Sequence, residues 1–437
     1  MNEIISPVKG LQGIVDIPGD KSISHRTVML AGLASTTVRV TNFLSAEDCW
    51  STVSCMKCLG VKIKQTGDNE LVIKGNGLFG LVEPDEVLDA GNSGTTTRLL
   101  TGILAGQSFF TVLTGDKSLR RRPMARIIAP LTKMGCRIYG REQSRYAPLA
   151  IIPSDGIHGI NYTLPVASAQ VKSAILLAGM FADGPTVITE PLLSRDHSER
   201  MLQSFGVGVE RTGLTVRLNP VSELTAPPVI DIPGDISSAA FWLVAATIVP
   251  GSKLRLRNVG INPTRTGIID VLRSMGANIT VYNQRQAGQE PVADIAVEYA
   301  PLTGTTVEAE IVPRLVDEIP ALAVAALFAS GATVIRGAEE LRVKETDRLK
   351  AIALELGKMG ARIAESADGL VIEGPQSLTS ACCDSHDDHR MAMALAVAGM
   401  AAQGVEITGA ECVNISYPRF FDEVRLLNNR QPTGGTA

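Results

Sequence analysis

One phrase recurs along the chain: an apolar helix end, a small residue and a turn, then an alternating strand. It reads "VMLAGLASTTVRVTNF", "RLLTGILAGQSFFTVLTG", "ILLAGMFADGPTVITE", "LVAATIVPGSKLRLRNV", "AVAALFASGATVIRG" and "MALAVAGMAAQGVEITG". A fixed internal repeat limits the fold more than composition does, because each copy must be one supersecondary unit. A second phrase follows most copies, a helix closed by glycine and then a strand: "MKCLGVKI", "LTKMGCRI", "LQSFGVGV", "LRSMGANI" and "LGKMGARI". Their glycines, Gly60, Gly135, Gly206, Gly276 and Gly360, suit a left-handed helix end that aims the chain at a strand. Each unit then reads strand, helix, strand, helix, strand, at a period of roughly 70–85 residues. The helices of the first phrase are apolar nearly all round, which predicts complete burial behind sheets.

Six such units in 437 residues exceed one ordinary core, and they divide naturally into three and three. The words Asp-Ile-Pro-Gly-Asp occur at Asp16–Asp20 and again at Asp231–Asp235. A Pro-Gly pair is a rigid-plus-permissive break suited to a crossing between domains. The expected division is residues 1–19 with 235–437 in one domain and 20–234 in the other, with crossovers near 18–21 and 232–236. The first copy runs on into "KSISHR" and the second into "ISSAAF". Charge is therefore expected at the first helix entrance, and only capping hydroxyls at the second.

Polar clusters gather before the helices. "GDKSISHR" supplies Lys21, Ser22 and Arg26, with Asp20 and Ser22 both able to cap. It reads as an oxyanion cup at a helix N-terminus or as a capped helix with solvated charges. "DAGNSGTTTR" places Asn92 and Gly94 in a glycine-rich entry that lacks the G-K-[ST] of a Walker loop. "GDKSLRRRP" crowds Arg120, Arg121 and Arg122 before a helix that Pro123 is expected to start. Ser168 and Gln170 open another helix, and Ser194, Arg195, Asp196 and His197 a further one. Asp317 and Glu318 precede a very apolar helix; Lys344, Glu345, Asp347 and Arg348, and then Asp388, His389 and Arg390, complete the series. If the repeats are arranged alike, these N-termini converge on a cleft with a local positive field for a small polyanion. Asp317 and Glu345 among those cations are candidate acid–base groups.

Other classes recede. Net charge is −4 with no long run of one sign, which argues against nucleic acid or a membrane surface as the main partner. No run of 18 apolar residues and no signal segment in "MNEIISPVKG" lead to the expectation of a cytoplasmic protein. Seven scattered cysteines do not form a disulfide framework. Cys55 and Cys58 are read as buried, inert thiols in preference to a redox or metal pair. "HDDH" has metal-like spacing, yet Arg390 follows it and nothing completes a ligand set, so no metal is expected.

"GDKSISHR", "GNSGTTTR", "RVKETDRL" and "DHRMAMA", in this order and spread over almost the whole chain, resemble the 5-enolpyruvylshikimate-3-phosphate synthase family of enolpyruvyl transferases. "NPTRTG" and "SRDHSER" are similar to its class II branch. The resemblance implies an α/β (α+β) fold of two inverted α/β barrel domains, each with three βαβαββ repeats around buried helices. It implies enolpyruvyl transfer from phosphoenolpyruvate to shikimate 3-phosphate with release of phosphate and no cofactor, by a monomer, with glyphosate as an inhibitor to test. Carried across by motif, Lys21, Ser22, Arg26, Ser168, Ala169, Gln170, Arg195, Asp317 and Lys344 would hold shikimate 3-phosphate. Lys21, Asn92, Gly94, Arg122, Gln170, Glu345, Arg348, His389 and Arg390 would hold phosphoenolpyruvate. Lys21, Asp317 and Glu345 would be catalytic. Ile415 stands where many relatives carry lysine, Glu340 and Ala169 where some have asparagine and serine, and His197 where some have a tyrosine that stacks on substrate; these are read as branch differences. A UDP-N-acetylglucosamine enolpyruvyl transferase would need a loop cysteine that "TGDKSLRRRP" lacks. A non-catalytic anion-binding homologue would have lost Asp317, Glu345 or Lys21.

Overall fold

A computed structural model describes residues 1–429. The chain divides into two compact units. The first comprises Met1–Pro18, Pro233–Arg285 and the chain from Pro291 onward; the second comprises Gly19–Ile232 with Gln286–Glu290.

The second unit is built on three inner helices, α1 (Lys21–Leu33), α2 (Gly94–Leu104) and α3 (Ala169–Gly179). Each is buried along nearly its whole length, as its apolar sequence requires. Between α2 and α3 the approach is backbone to backbone: a Cβ on Gly102 would lie 2.3 Å from the Ala174 carbonyl oxygen, so no other residue fits there without a shift. α2 and α3 each lead to a strand that pairs in parallel with the strand before the helix. In the α2 repeat Leu88–Asp89 pairs with Thr111–Thr114. Tyr146–Ile152 and then Arg137–Gly140 follow antiparallel, giving four strands in the order first, second, fourth, third. The α3 repeat has the same order.

The first unit repeats the plan with α4 (Ile236–Ile248), α5 (Ile319–Leu327) and α6 (His389–Ala401), which pack on one another. Its third sheet has three strands, Cys382–Asp384, Val405–Thr408 and the N-terminal Asn2–Ile5. Outer helices such as Ala125–Lys133 and Gly267–Ser274 bury one face only. Five of them end at the glycines of the second repeated phrase, whose φ lies between 82 and 100°.

The duplicated Asp-Ile-Pro-Gly-Asp words sit where strands are exchanged. The strand of the second copy, Val229–Asp231, completes the sheet of the α1 repeat, with Val229 opposite Arg39. The strand of the first copy, Gln12–Asp16, lies in the other unit beside Lys253–Gly260, with Gln12 opposite Lys253. Each copy therefore leaves its strand in one unit and starts a helix of the other.

Some local readings are corrected. The helix expected to start at Pro123 begins at Ala125, after a 3₁₀ turn at Leu119–Arg121. Cys58 and Cys382 are exposed, while Cys49, Cys55, Cys136, Cys383 and Cys412 are buried. Burial pushes the Cys55 thiol up to about 12, which keeps it protonated and unreactive. Among the described residues no helix is long and apolar enough to cross a membrane, and no group of three or more His, Cys, Asp or Glu could hold a metal.

The core around α4 contains a titratable chain. Trp242 Nε1 donates to the Tyr417 hydroxyl at 2.9 Å, and that hydroxyl donates to Glu423. Burial first, with Asp16 and Asp422 adding to it, raises the Glu423 carboxyl to about 7, against the opposing Tyr417 bond and Arg419. In the unfolded chain the same group titrates near about 4.3. Between those values the native state holds the extra proton, so its stabilising contribution is complete below the lower pKa and is lost as pH rises through the upper one. Stability of the natural chain is expected to fall between pH 5 and 8, by at most about 1.4 kcal/mol per pH unit from this group. In Glu423→Gln that slope flattens. Urea midpoints of both proteins at the two pH values test it, and equal pH dependence would refute it.

Candidate active site

In the second unit most candidate side chains collect at the entrances of α1, α2 and α3. Asp20 caps α1, accepting from Ile23 N at 2.9 Å; Ser22 does not take the cap. Lys21, the first residue of α1, sets its ammonium 2.5 Å from Asp48, an acid that stands on the neighbouring outer helix Glu47–Cys58. Arg26, one turn further along, is only 5 % exposed. Its guanidinium donates to Ser198 Oγ (2.8 Å), Ser173 Oγ (2.9 Å) and the Ser22 carbonyl (2.9 Å). All three partners are neutral. Burial lowers Arg26 to about 10, Arg195 pushes the same way, and Asp20, Glu199 and Glu290 oppose it from a distance. A cation desolvated without a bonded carboxylate leaves a positive field at this helix end. Ser168 caps α3, accepting from Val171 N at 3.4 Å, and Ala169 is its first residue.

At α2, Ser93 is the cap. Asn92 accepts from Arg122 Nη2 at 2.6 Å and donates to Asp116 at 2.7 Å. Of the arginine triplet only Arg122 is buried; Arg120 and Arg121 face outward. A Cβ on Gly94 would meet Arg98 Nη1 at 2.9 Å and Arg122 Nη1 at 3.4 Å, so two guanidiniums converge on this glycine. Arg98 donates to Gln170 Oε1 at 2.5 Å, and Gln170 passes a bond on to Thr95 at 3.1 Å. Arg98 was not among the expected site residues, although it lies in the quoted motif one helical turn after Gly94.

Behind these entrances lies a buried ion cluster. The Lys172 ammonium, fully buried, is 2.7 Å from both Glu190 and Glu199. Arg211 meets the same two carboxylates at 3.1 and 2.6 Å. Glu190 also accepts from Ser194 N at 3.1 Å, which ties the cluster to the loop carrying Arg195. Only a lysine inside the apolar run "VKSAILL" hinted at it. His197, expected to take a stacking tyrosine's place, is buried with Nδ1 2.7 Å from Glu290.

The first unit brings Asp317, Lys344, Glu345, Arg348 and Arg390 together. Asp317 Oδ1 is 3.2 Å from Arg348 and 3.8 Å from Lys344, and Oδ2 is 3.7 Å from Arg390. Arg348, buried to 1 %, also bonds Asp388 (2.7 Å) and Glu345 (2.6 Å). Burial alone would lower its pKa, but Asp388, Glu345 and Asp317 outweigh that and hold it well above the ordinary value. Asp388 caps α6, accepting from Arg390 N at 2.9 Å. Glu340 takes the Lys344 ammonium at 3.4 Å. His389 is buried in the first turn of α6. Ile415 is buried in the 3₁₀ segment Ala410–Ile415 and packs into the core.

Two expectations change. Three clusters (Arg120–Arg126, Ser194–His197 and Lys344–Arg348) stand before outer, half-buried helices and not before inner ones. The entrance of α4 is not left with capping alone: Asp235 caps it, and the Ser237 hydroxyl bonds Arg265 and Glu318.

Residues 5–424 match the family described as EPSP synthase (3-phosphoshikimate 1-carboxyvinyltransferase). A 3-phosphoshikimate 1-carboxyvinyltransferase of Desulforudis audaxviator is 56 % identical over 424 residues, covering 97 % of this chain and 98 % of the relative. The solved EPSP synthase of Acinetobacter baumannii is 43 % identical with a TM-score of 0.87, covering 98 % of each chain. The enolpyruvyl transferase NikO of Streptomyces tendae, 18 % identical with a TM-score of 0.79 over 97 % of this chain and 96 % of that one, shares the fold.

Removing the Lys172 ammonium leaves Glu190 and Glu199 facing Arg211 alone. Breaking such a buried network typically costs about 3–5 kcal/mol. Lys172→Met is therefore expected to lower the urea midpoint sharply, and adding Glu199→Gln to recover part of the loss. An unchanged midpoint in the single variant would show that the cluster contributes little.

Proposed function

The chain belongs to the EPSP synthase family, and from that membership we propose how its residues carry the family reaction. It is a transferase with the two-domain enolpyruvyl transferase fold. It moves the enolpyruvyl group of phosphoenolpyruvate to the 5-hydroxyl of shikimate 3-phosphate and releases phosphate. The near full-length match carries this conclusion. We read it as a cytoplasmic monomer.

Shikimate 3-phosphate is assigned to Ser22, Arg26, Ser168, Gln170, Arg195, Asp317 and Lys344. Its phosphate belongs with Ser168 and Arg195, where the helix entrance and the field of Arg26 favour an anion. Phosphoenolpyruvate is assigned to Lys21, Asn92, Gly94, Arg122, Arg348 and Arg390. The support is charge: Arg122 is turned inward onto Asn92, and guanidinium forks suit carboxylate and phosphate.

Asp317 is the proposed base. It takes the proton of the 5-hydroxyl, whose oxygen bonds to C2 of phosphoenolpyruvate, while Glu345 delivers a proton to the methylene carbon. Lys21 neutralises charge that develops in this step. The tetrahedral adduct then gives a methyl proton back to Glu345, the C2–O bond to phosphate breaks, and the enol ether and phosphate leave. Asp317 fits the base's part because Arg348, Lys344 and Arg390 hold it in place, and acid–base groups so placed contribute about 10²–10⁴-fold.

Asp317→Ala and Glu345→Gln are each expected to cut turnover by about 10² or more with the fold intact. Phosphate release from shikimate 3-phosphate plus phosphoenolpyruvate measures it, with glyphosate titrated in parallel. Near-normal release by either variant would sink the role given to it.

A further inference from the structure

The entrance of α5 differs from its counterparts. Side chains cap the other five inner helices: Asp20, Ser93, Ser168, Asp235 and Asp388. Glu318, at the cap position of α5, makes no capping bond. It ends the 3₁₀ turn Val316–Glu318 that carries Asp317, and its side chain is completely buried. One oxygen, Oε1, accepts from Ser237 Oγ and lies 3.8 Å from Arg265 Nη2. The other, Oε2, has no hydrogen-bond partner, so Ser237 and Arg265 hold the carboxylate. The same Arg265 Nη2 is 3.2 Å from Asp235 and donates to Ser237 at 2.7 Å. Arg265 is 2 % exposed and comes from "NPTRTG", a motif without a part in the chemistry above.

We propose that Arg265 is a positioning residue for the reaction: through Glu318 it fixes the turn that presents Asp317. The inference rests on Asp317 being the base. One guanidinium nitrogen joins the entrances of α4 and α5 and compensates two buried carboxylates, neither of which can lie in a dry interior unopposed. On the other side of Glu318's neighbour, Arg390 Nη1 donates to the Asp317 carbonyl at 3.1 Å. The turn is thus pinned at consecutive residues from two directions. Proton transfer needs its groups held within about 0.5 Å of the productive geometry. A loosened turn displaces Asp317 in the transition state more than it weakens ground-state binding.

The test is steady-state kinetics on Glu318→Gln, Arg265→Met and Arg265→Lys. Glu318→Gln keeps shape and an acceptor for Ser237 but loses the charge, so it folds with kcat lowered on the order of 10-fold and both KM values within about 2-fold. Arg265→Met loses more, and Arg265→Lys, which restores a cation, recovers most of it. Folded Glu318→Gln with the natural kcat would overturn the proposal, and so would a loss confined to KM. If Arg265→Met fails to fold, Glu318→Gln and Arg265→Lys still decide. Asp317→Ala separates the two readings: full turnover there removes the base assignment itself, whereas an inactive Asp317→Ala beside a fully active Glu318→Gln removes only the role of Arg265.

Discussion

A helix buried on every side can meet polar groups only at its ends. All 13 residues of α4 are buried, and the other inner helices come close to that. Their free N-terminal N–H groups must be satisfied where the helix meets its incoming loop. Caps, hydroxyls and ionic groups are therefore forced to the same end of each repeat. The polar clusters at the inner-helix entrances follow from that restriction. Charge placed anywhere else along these helices would face apolar packing, and Lys172, one turn inside α3, needs two carboxylates to be there.

The repeat was legible because it is written twice over. Apolar helix ends predict the inner layer, and glycines with left-handed φ mark where outer helices turn into strands. The strand exchange was less legible. The shared Asp-Ile-Pro-Gly-Asp words signal equivalent turns, but which sheet accepts each strand is a matter of long-range pairing. Gln12–Asp16 finds its partner some 240 residues away, in Lys253–Gly260. Local pattern carries no information on such a pairing.

Candidate site residues stand out in the sequence where they gather at a helix entrance in a polar cluster, as Lys21, Arg122, Asp317 and Arg348 do. The residues behind them do not. Arg211, Glu190, Arg265 and Asp48 each look like an ordinary surface charge in the sequence, since burial of a charge depends on partners far along the chain. Glu318 and Asp317 are adjacent acids in the sequence. In the fold the two point to different duties, Glu318 into a dry cluster and Asp317 among the cations of Lys344, Arg348 and Arg390.

The two units also differ in how they treat their buried arginines. Arg26 is held by hydroxyls and a carbonyl, and burial lowers its pKa to about 10. Arg348 is held by three carboxylates, and its pKa is driven up. A guanidinium bonded to neutral dipoles projects attraction toward an anion. One surrounded by acids projects little, but it holds those acids in a fixed orientation. The first arrangement suits attraction of an anion, and the second suits fixing carboxylates in place. The contrast between the two arginines thus follows from whether serine or aspartate stands beside them.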